Sequence, residues 1–442
     1  MLDWEIILGM DMTFVSVISI VIFVVVYGLI AVRNIRGIRL PMWSTMLMGA
    51  LAVLSLQIIP LDKAYRSINF DVIFFLTGMF ILVSGLEASG LLKYVTIKIL
   101  EHAKTPNRVL LFILLVLGVL SAFLINDTVA LVATPIVLAM AKQMRVKSAP
   151  LLITLAFGIT IGSVMTPIGN PQNLLISLSS GMEYPFLTFL QYLAAPTLAC
   201  IVTTYFIIKR VYKKELIHAT SSQLIATKDL ITNYPLAKAS SIITLIVISG
   251  FFTVGFVKVF GIQTNLNFSH IALVGGLALL VISTKRKEIL RGMNWQIIVF
   301  FVSMFVFMGG LWYGGAIDLF SSAFPNLNRH DPSSLPNIIL TSVGLSQLMS
   351  NVPFVSIYLP VMHNLGYTNQ DTLAWMALAG ASTLAGNLTI LGAASNVIIL
   401  EAAEKRKETA FSFMDFLKVG SIVTTVNIAI LYAFLLAYST LV

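Results

Sequence analysis

Long apolar stretches recur along this chain, and they constrain its fold more than any other feature. A helix needs about 20 apolar residues to cross the hydrocarbon core of a bilayer. We predict ten single crossings, at 12–32, 41–60, 72–91, 151–181, 186–208, 236–257, 271–284, 295–317, 373–401 and 414–440. Two further apolar regions, 109–141 and 338–362, need another argument to be placed.

The composition agrees with lipid as the solvent of this chain. Of its residues, 58% are hydrophobic and 11% are charged, whereas soluble proteins have roughly 25% charged residues. The lone cysteine, Cys200, excludes an intrachain disulfide and gives no sign of a thiolate metal site. Before the first apolar run stand Asp3, Glu5 and Asp11, the opposite of the basic start of a signal peptide. We therefore interpret that run as a retained span.

The positions of the basic residues decide how the spans alternate. If 109–141 and 338–362 are hairpins that enter and leave on one side, all but four of the 28 Lys and Arg residues share a single side. The four on the other side are Lys63, Arg66, Lys258 and Arg329. The positive-inside rule makes the basic side cytoplasmic. We therefore predict two re-entrant hairpins, a location in the plasma or inner membrane, and both termini outside. This arrangement argues against nucleic-acid binding as the explanation of the net charge of +9.

An internal repeat accompanies this topology. At an offset of 225 residues, 69–91 aligns with 294–316, and Asn126 of the first hairpin aligns with Asn351 of the second. At an offset of 223, the stretch 151–178 aligns with 374–401 and includes the matches Thr160/Thr383 and Asn173/Asn396. Matched spans run in opposite directions across the membrane. Inverted repeats of this kind place transporter sites near the bilayer midplane.

The repeat predicts the domain organisation and the fold class. The predicted parts are an N-terminal span (1–40), a first repeat (41–208), a cytoplasmic linker (209–238), a linking span (239–270) and a second, inverted repeat (271–442). We expect an all-α polytopic membrane protein with about ten full spans, two re-entrant hairpins and two broken helices.

Polar residues interrupt the apolar pattern at four places, two in each repeat. The hairpins are interrupted at Asn126, Asp127 and Thr128 and at Ser350 and Asn351. The later breaks contain Thr166, Gly169 and Asn173, and in the second repeat Thr389, Gly392, Ser395 and Asn396. Non-helical backbone is tolerated at membrane depth only where it is buried in protein or lines a wet cavity. These residues are therefore our candidates for binding a substrate or an ion.

The chemistry of the four breaks suits small ions. Amide, hydroxyl and carbonyl oxygens suit a hard cation such as sodium, for which Asn126, Asp127 and Asn351 are the candidate ligands. The positive ends of half-helices suit an anion. The alternative is that the Asn and Thr residues cap broken helices or join neighbouring ones.

Asp127 is the only carboxylate within the breaks, and its repeat partner Val352 is apolar. An intramembrane charge costs at least about 2.5 kcal/mol, so such an acid is a functional candidate by default. The alternative is a neutral, hydrogen-bonded structural acid. Glu87 and Asp71, near the two ends of one span, are interpreted as interfacial.

The chain resembles the ion transporter superfamily over about residues 40–440. Asn126 precedes Pro135 by nine residues and Asn351 precedes Pro360 by nine, which is similar to the paired hairpin motifs of divalent-anion:sodium symporters. The stretch from Asn126 to Val137 is also similar to arsenite permeases, and 389–396 to pink-eyed-dilution proteins; the superfamily also includes citrate carriers. The resemblance implies an elevator mechanism, in which hairpins and broken helices move against a scaffold that forms a homodimer.

We predict a secondary active transporter of a small anion or oxyanion, of the dicarboxylate or arsenite-like kind, coupled to sodium ions or protons and without another cofactor. Its expected partners are this anionic solute and the lipid bilayer. A sodium/proton antiporter that uses Asp127 is the alternative, and an ion channel is a weaker one because half-depth hairpins favour occlusion. HExxH, GxSxG, P-loop and GxGxxG motifs are absent, so we expect neither an enzyme nor a nucleotide-driven pump.

Overall fold

The computed structural model describes residues 12–32, 34–35, 38–217, 228–260, 266–315, 329, 334–408 and 410–440. The predicted positions of both termini and the middle of the predicted linker, 218–227, lie outside the described residues. Apart from a short antiparallel ribbon, Asn34–Ile35 with Ile38–Arg39, the regular structure of the described part is helical.

The first half of the chain contains twelve α-helices. They are α1 (Met12–Val32), α2 (Met42–Ser55), α3 (Leu61–Ser67), α4 (Phe70–Ala88), α5 (Leu91–Leu100), α6 (Pro106–Phe112), α7 (Gly118–Leu124), α8 (Asn126–Gln143), α9 (Ser148–Gly162), α10 (Pro171–Ser179), α11 (Pro185–Val211) and α12 (Lys213–Ile217) among the described residues. A π-helical turn, Ile113–Leu117, joins α6 to α7, and a 3₁₀ turn, Ser163–Met165, follows α9.

The second half continues, within its described residues, with nine α-helices. They are α13 (Tyr234–Val259), α14 (Phe268–Ile282), α15 (Arg286–Gly292), α16 (Trp295–Tyr313), α17 (Ser334–Met349), α18 (Asn351–Asn364), α19 (Thr372–Ala385), α20 (Ala394–Glu404) and α21 (Phe413–Ser439). A 3₁₀ turn, Lys228–Leu230, precedes α13, and another, Ile390–Gly392, separates α19 from α20.

Seven of the described helices are long and apolar enough to cross a membrane, judged by length and composition alone, and four shorter helices are also apolar. One of the seven, Pro106–Leu124, is the first arm of the predicted first hairpin. The others fall in the ten predicted spans, of which 151–181 and 373–401 are broken into α9 with α10 and α19 with α20. The predicted fold class is confirmed.

Both predicted hairpins break at equivalent residues. Ile125 separates α7 from α8 with φ +63°, and Ser350 separates α17 from α18 with φ +70°. These positions are 225 residues apart, which is the offset of the sequence repeat. In each hairpin the two arms contact each other, so the left-handed residue marks the tip.

The two halves of the chain are interleaved. The second arm of the first hairpin, α8, packs on α20, and the second arm of the second hairpin, α18, packs on α10. The long helices α11 and α21 also pack together, and there the Asn427 Nδ2 donates to the Thr204 Oγ1 at 3.4 Å. Because Thr204 and Asn427 are both buried, this pair is a polar contact between the two halves inside the bundle.

Two contacts join segments that we predicted to lie on the same, lysine- and arginine-rich side of the membrane. The Lys142 Nζ lies 2.5 Å from the Glu408 Oε1, so the end of the first hairpin meets the segment after α20. The Thr232 backbone N–H donates to the Ser89 carbonyl at 3.0 Å, which places the end of the linker beside the end of α4. The assignment of this side to the cytoplasm stays a prediction.

Glycines set how closely the first hairpin approaches its own broken helix. A Cβ added to Gly162, at the end of α9, would collide with the backbone of Gly118 in α7. The equivalent residues in the second half are Val343 in α17 and Ala385 in α19. The main chains can therefore touch in the first half, whereas the second half has a side chain at both positions.

Candidate functional site

The first hairpin tip is held against the first break by the main chain. The Asn126 backbone N–H donates to the Gly169 carbonyl at 2.9 Å. The preceding Ile125 is β-branched and occupies the left-handed region, an outlier for such a residue that costs on the order of 1–3 kcal/mol. The surrounding contacts must therefore impose this conformation, and the bond to Gly169 is one of them.

Two hydroxyl groups close the rest of the first seam, the contact between the first arm of the first hairpin and its broken helix. The Ser121 Oγ donates to the Ile159 carbonyl at 2.7 Å, and the Thr166 Oγ1 donates to the Ala122 carbonyl. All four residues are buried. The first seam therefore satisfies its own polar groups.

Asn173 holds the first break together from within. Its Nδ2 donates to the carbonyl oxygens of Ser163, Val164 and Thr166 at 3.2 to 3.3 Å. Its Oδ1 accepts from the Thr383 Oγ1 of the other repeat at 3.1 Å. The carboxamide is thus fully engaged by protein partners, which makes Asn173 a structural residue of the break.

Thr383 is a junction between the two broken helices. Besides donating to Asn173, its hydroxyl oxygen accepts from the Asn170 Nδ2 at 3.2 Å and from the Gln172 Nε2 at 3.4 Å. Asn170 also caps α10, because its Oδ1 accepts from the Asn173 backbone N–H at 2.8 Å. This cluster fixes the first break relative to α19.

Asn396 repeats the role of Asn173 only in part. Its Nδ2 donates to the carbonyl oxygens of Gly386 at 2.7 Å and Thr389 at 3.3 Å, which are the equivalents of Ser163 and Thr166. Its Oδ1 is buried without a hydrogen-bond partner, and so is the Thr160 hydroxyl, the equivalent of Thr383. The bond that joins the halves at Thr383 therefore has no counterpart on the other side of the repeat.

Unpartnered polar atoms gather in the second half. Apart from the Asn396 Oδ1, four groups on the segments next to the second hairpin tip and the second break are buried without a hydrogen-bond partner. They are the Ser346 Oγ, the Asn351 Oδ1, the Ser395 Oγ and the carboxamide of Asn387. Buried polar groups in native proteins are nearly always paired, and exceptions point to an unseen water, ion or functional role. We call these four residues and Asn396 the open cluster.

The Gln347 side chain bridges the second break. Its Oε1 accepts from the Thr389 Oγ1 at 2.9 Å, and its Nε2 donates to the Ala385 carbonyl at 2.8 Å. It also lies beside Gly392, where an added Cβ would be 3.1 Å from the Oε1. The equivalent of Gln347 in the first half is Ala122, which offers only its backbone carbonyl to Thr166.

Asp127 lies half-buried in the first turn of α8, beside half-buried Thr128. The ion pairs among the described residues do not include Asp127. A carboxylate is stabilised at a helix N-terminus by the positive end of the helix dipole. At the start of α18 the equivalent residue is Val352, so that helix end has no carboxylate in its first turn.

The structure brings most of the predicted site residues together by halves. Asn126 contacts Gly169, and Thr166 contacts Asn173; in the second half Thr389 contacts Asn396. Sequence reasoning missed five residues that complete the site: Asn170, Gln172, Gln347, Thr383 and Asn387. The Thr160/Thr383 identity in the repeat was the available signal for Thr383.

Two hairpins and two broken helices that interleave in an apolar bundle define a membrane transporter with inverted repeats. The chain belongs to the citrate transporter family, CitMHS, which matches residues 20–385. This membership confirms the resemblance to the ion transporter superfamily, in which citrate carriers were included.

Known proteins are similar to most of this chain. An uncharacterized transporter of Mycobacterium tuberculosis (strain ATCC 25618 / H37Rv) is 28% identical over 430 residues, covering 94% of this chain and 96% of that protein. The silicon efflux transporter LSI3 of Oryza sativa subsp. japonica is 25% identical over 421 residues, covering 83% and 86%. The crystal structure of the Alcanivorax borkumensis YdaH transporter is similar in fold, with a TM-score of 0.55, 14% identity and 97% and 98% coverage.

Proposed function

We propose that this protein is a secondary active transporter of a small oxyanion or hydroxylated acid, coupled to protons or sodium ions. The observation that carries this proposal is the open cluster. It includes Asn351 at the start of α18 and Ser395 and Asn396 in the first turn of α20, in a chain of a transporter family. Helix N-termini attract anions, and the buried amide oxygens of Asn351 and Asn396 require hydrogen-bond donors or a cation.

The substrate class follows from this mixture of groups. An anion without hydroxyl groups leaves the two amide oxygens unpaired, whereas a hydroxylated acid offers acceptor oxygens to the helix ends and O–H donors to Asn351 and Asn396. Citrate, named in the family description, and silicic acid, suggested by the rice relative, both have this chemistry. The candidate site has no Lys or Arg, so a multiply charged substrate would enter with a bound cation.

Asp127 is the proposed coupling residue. We call the first hairpin tip with the first break the first half-site, and their equivalents in the second repeat the second half-site. Asp127 is the carboxylate of the first half-site and has no ion pair among the described residues. The positive end of the α8 dipole already compensates its charge. A proton or a sodium ion would bind there with Asn126, while the substrate occupies the second half-site. The two half-sites would then divide the work of coupling and binding.

The interleaving of the hairpins with the broken helices supports an elevator movement. Since α8 packs on α20 and α18 packs on α10, neither hairpin can move far without the broken helix of the other repeat. These elements would form the moving body. Helices α2 with α16 and α4 with α14, which pack in pairs, would belong to the scaffold of a homodimer.

Uptake into proteoliposomes tests the function. Purified protein is expected to accumulate citrate supplied with Mg²⁺, or silicic acid, when an inward proton or sodium gradient is imposed, and to lose accumulation when the gradient is collapsed. Thermal unfolding with each probe, with and without sodium, reports binding independently. If neither citrate with Mg²⁺ nor silicic acid is accumulated or stabilises the protein, the proposal is contradicted.

A sodium/proton antiporter is the second candidate, because the lone Asp127 carboxylate favours it. An antiporter would exchange sodium for protons across the liposome membrane without any organic or inorganic acid. Sodium-driven pH change in liposomes without these acids would favour this candidate, and Asp127→Asn should remove that change.

A further inference from the structure

Gln347 connects the two sides of a turn that the second half-site depends on. The turn runs from Ala385 to Thr389, and Gln347 hydrogen-bonds both ends, at 2.8 and 2.9 Å. Within it, the backbone N–H groups of Asn387 and Leu388 donate to carbonyls three residues earlier at 3.0 Å. Short turns of this kind have few internal bonds, so a side chain that spans one limits its conformations.

The second seam, formed by α17 and α19, differs from the first in how its threonine is bonded. In the first half, Gly118 and Gly162 let the main chains of α7 and α9 touch, and Thr166 donates to the main-chain carbonyl of Ala122. In the second half, Val343 and Ala385 occupy the glycine positions. There Thr389 donates to the side chain of Gln347 instead.

The serines that directly precede Ala122 and Gln347 also differ in their hydrogen bonds. Ser121, in the close seam, donates to the Ile159 carbonyl. Its equivalent Ser346 is buried without a partner, and the residue equivalent to Ile159 is Ser382. In the second seam, therefore, the hydrogen bonds to the broken helix come from Gln347 and not from the serine before it.

We propose that Gln347 is a positioning residue of the second half-site. By tying the turn at Ala385 and Thr389, it fixes the start of α20, so that Ser395 and Asn396 keep a defined place relative to the second hairpin tip. The part of this proposal that concerns substrate affinity rests on the proposed function. The part that concerns the turn does not.

A double-mutant cycle tests the link between Gln347 and Thr389. Gln347→Leu keeps the size of the side chain and removes both hydrogen bonds, and Thr389→Val keeps the branched shape and removes the donor. Each change is expected to raise the KM for transport of citrate with Mg²⁺, or of silicic acid, about tenfold with a smaller change in kcat. Because both remove the same bond, the double variant should be clearly less impaired than the product of the two effects. Independent, multiplying effects would overturn the proposal.

Hydrogen exchange tests the turn without any substrate. In intact protein in detergent, Gln347→Leu is expected to speed exchange in the 385–393 peptide about tenfold. Exchange in the equivalent 162–170 peptide should stay unchanged, because Ala122 holds that break through its main chain. Gln191→Leu, an exposed substitution on α11, is the matched control and should change neither quantity.

The outcomes separate the two proposals. If wild-type protein transports neither probe, the function fails, and hydrogen exchange alone decides whether Gln347 positions the turn. If wild-type protein transports a probe and Gln347→Leu leaves KM unchanged, the positioning role in binding is wrong. Unchanged exchange at 385–393 overturns the positioning role in every case.

Discussion

Replacing Asn173 by leucine should destabilise the protein more than the same replacement at Asn396. The two residues are equivalent in the repeat, and both are fully buried. Leucine matches asparagine approximately in size but removes the carboxamide. The comparison therefore isolates the hydrogen bonds that each carboxamide makes.

The magnitude follows from those bonds. Asn173 makes four with its side chain, to Ser163, Val164, Thr166 and Thr383, whereas Asn396 makes two. Side-chain hydrogen bonds inside membrane proteins average about 0.6 kcal/mol. We expect a cost of about 2.4 kcal/mol for Asn173→Leu and about 1.2 kcal/mol for Asn396→Leu. The second value is an upper bound, since leucine also removes the unpartnered Asn396 Oδ1.

Reversible unfolding in mixed detergent and SDS micelles measures both variants against wild type, and liposome uptake measures their function. Asn396→Leu is expected to abolish transport while it retains most of the stability, because it alters the open cluster. Asn173→Leu should lose stability first. An equal or larger destabilisation by Asn396→Leu would refute the distinction between a structural and a binding asparagine.

Three further predictions concern coupling, binding and topology. Asp127→Asn should abolish accumulation against a gradient while substrate still protects against thermal unfolding; accumulation with unchanged pH and sodium dependence would make Asp127 structural. Asn126→Ala and Asn351→Ala should each abolish uptake with little loss of expression, and wild-type uptake by either would reduce that residue to a helix cap. Cysteines placed at the exposed positions of Lys147 and His363 should react with an impermeant maleimide from opposite sides of the membrane, and labelling from one side would end the inverted topology.

The fold was predictable because lipid leaves few choices for a backbone. Span lengths follow from the thickness of the bilayer, and the positions of the basic residues distinguished hairpins from crossings. The repeat then located both tips, since Asn126 and Asn351 begin α8 and α18 as expected. The short arms of the breaks were harder to delimit, because proline and glycine mark an interruption without fixing how many residues it contains.

The site was predictable only as a set of positions. Sequence identity between the repeats selected Asn173 and Asn396 together, although one is saturated by protein partners and the other is not. That difference arises from pairings between distant helices, such as that of Thr383 with Asn173, which Thr160 and Asn396 do not repeat. A single sequence carries no direct sign of such tertiary pairings.

The interleaved packing has a consequence for how such a chain is made. Besides its contacts within its own repeat, the second arm of each hairpin packs on a helix of the other repeat, α8 on α20 and α18 on α10, so a first half that has left the ribosome alone has one face of α8 uncovered. We expect the first half to stay sensitive to proteolysis until α20 has been synthesised.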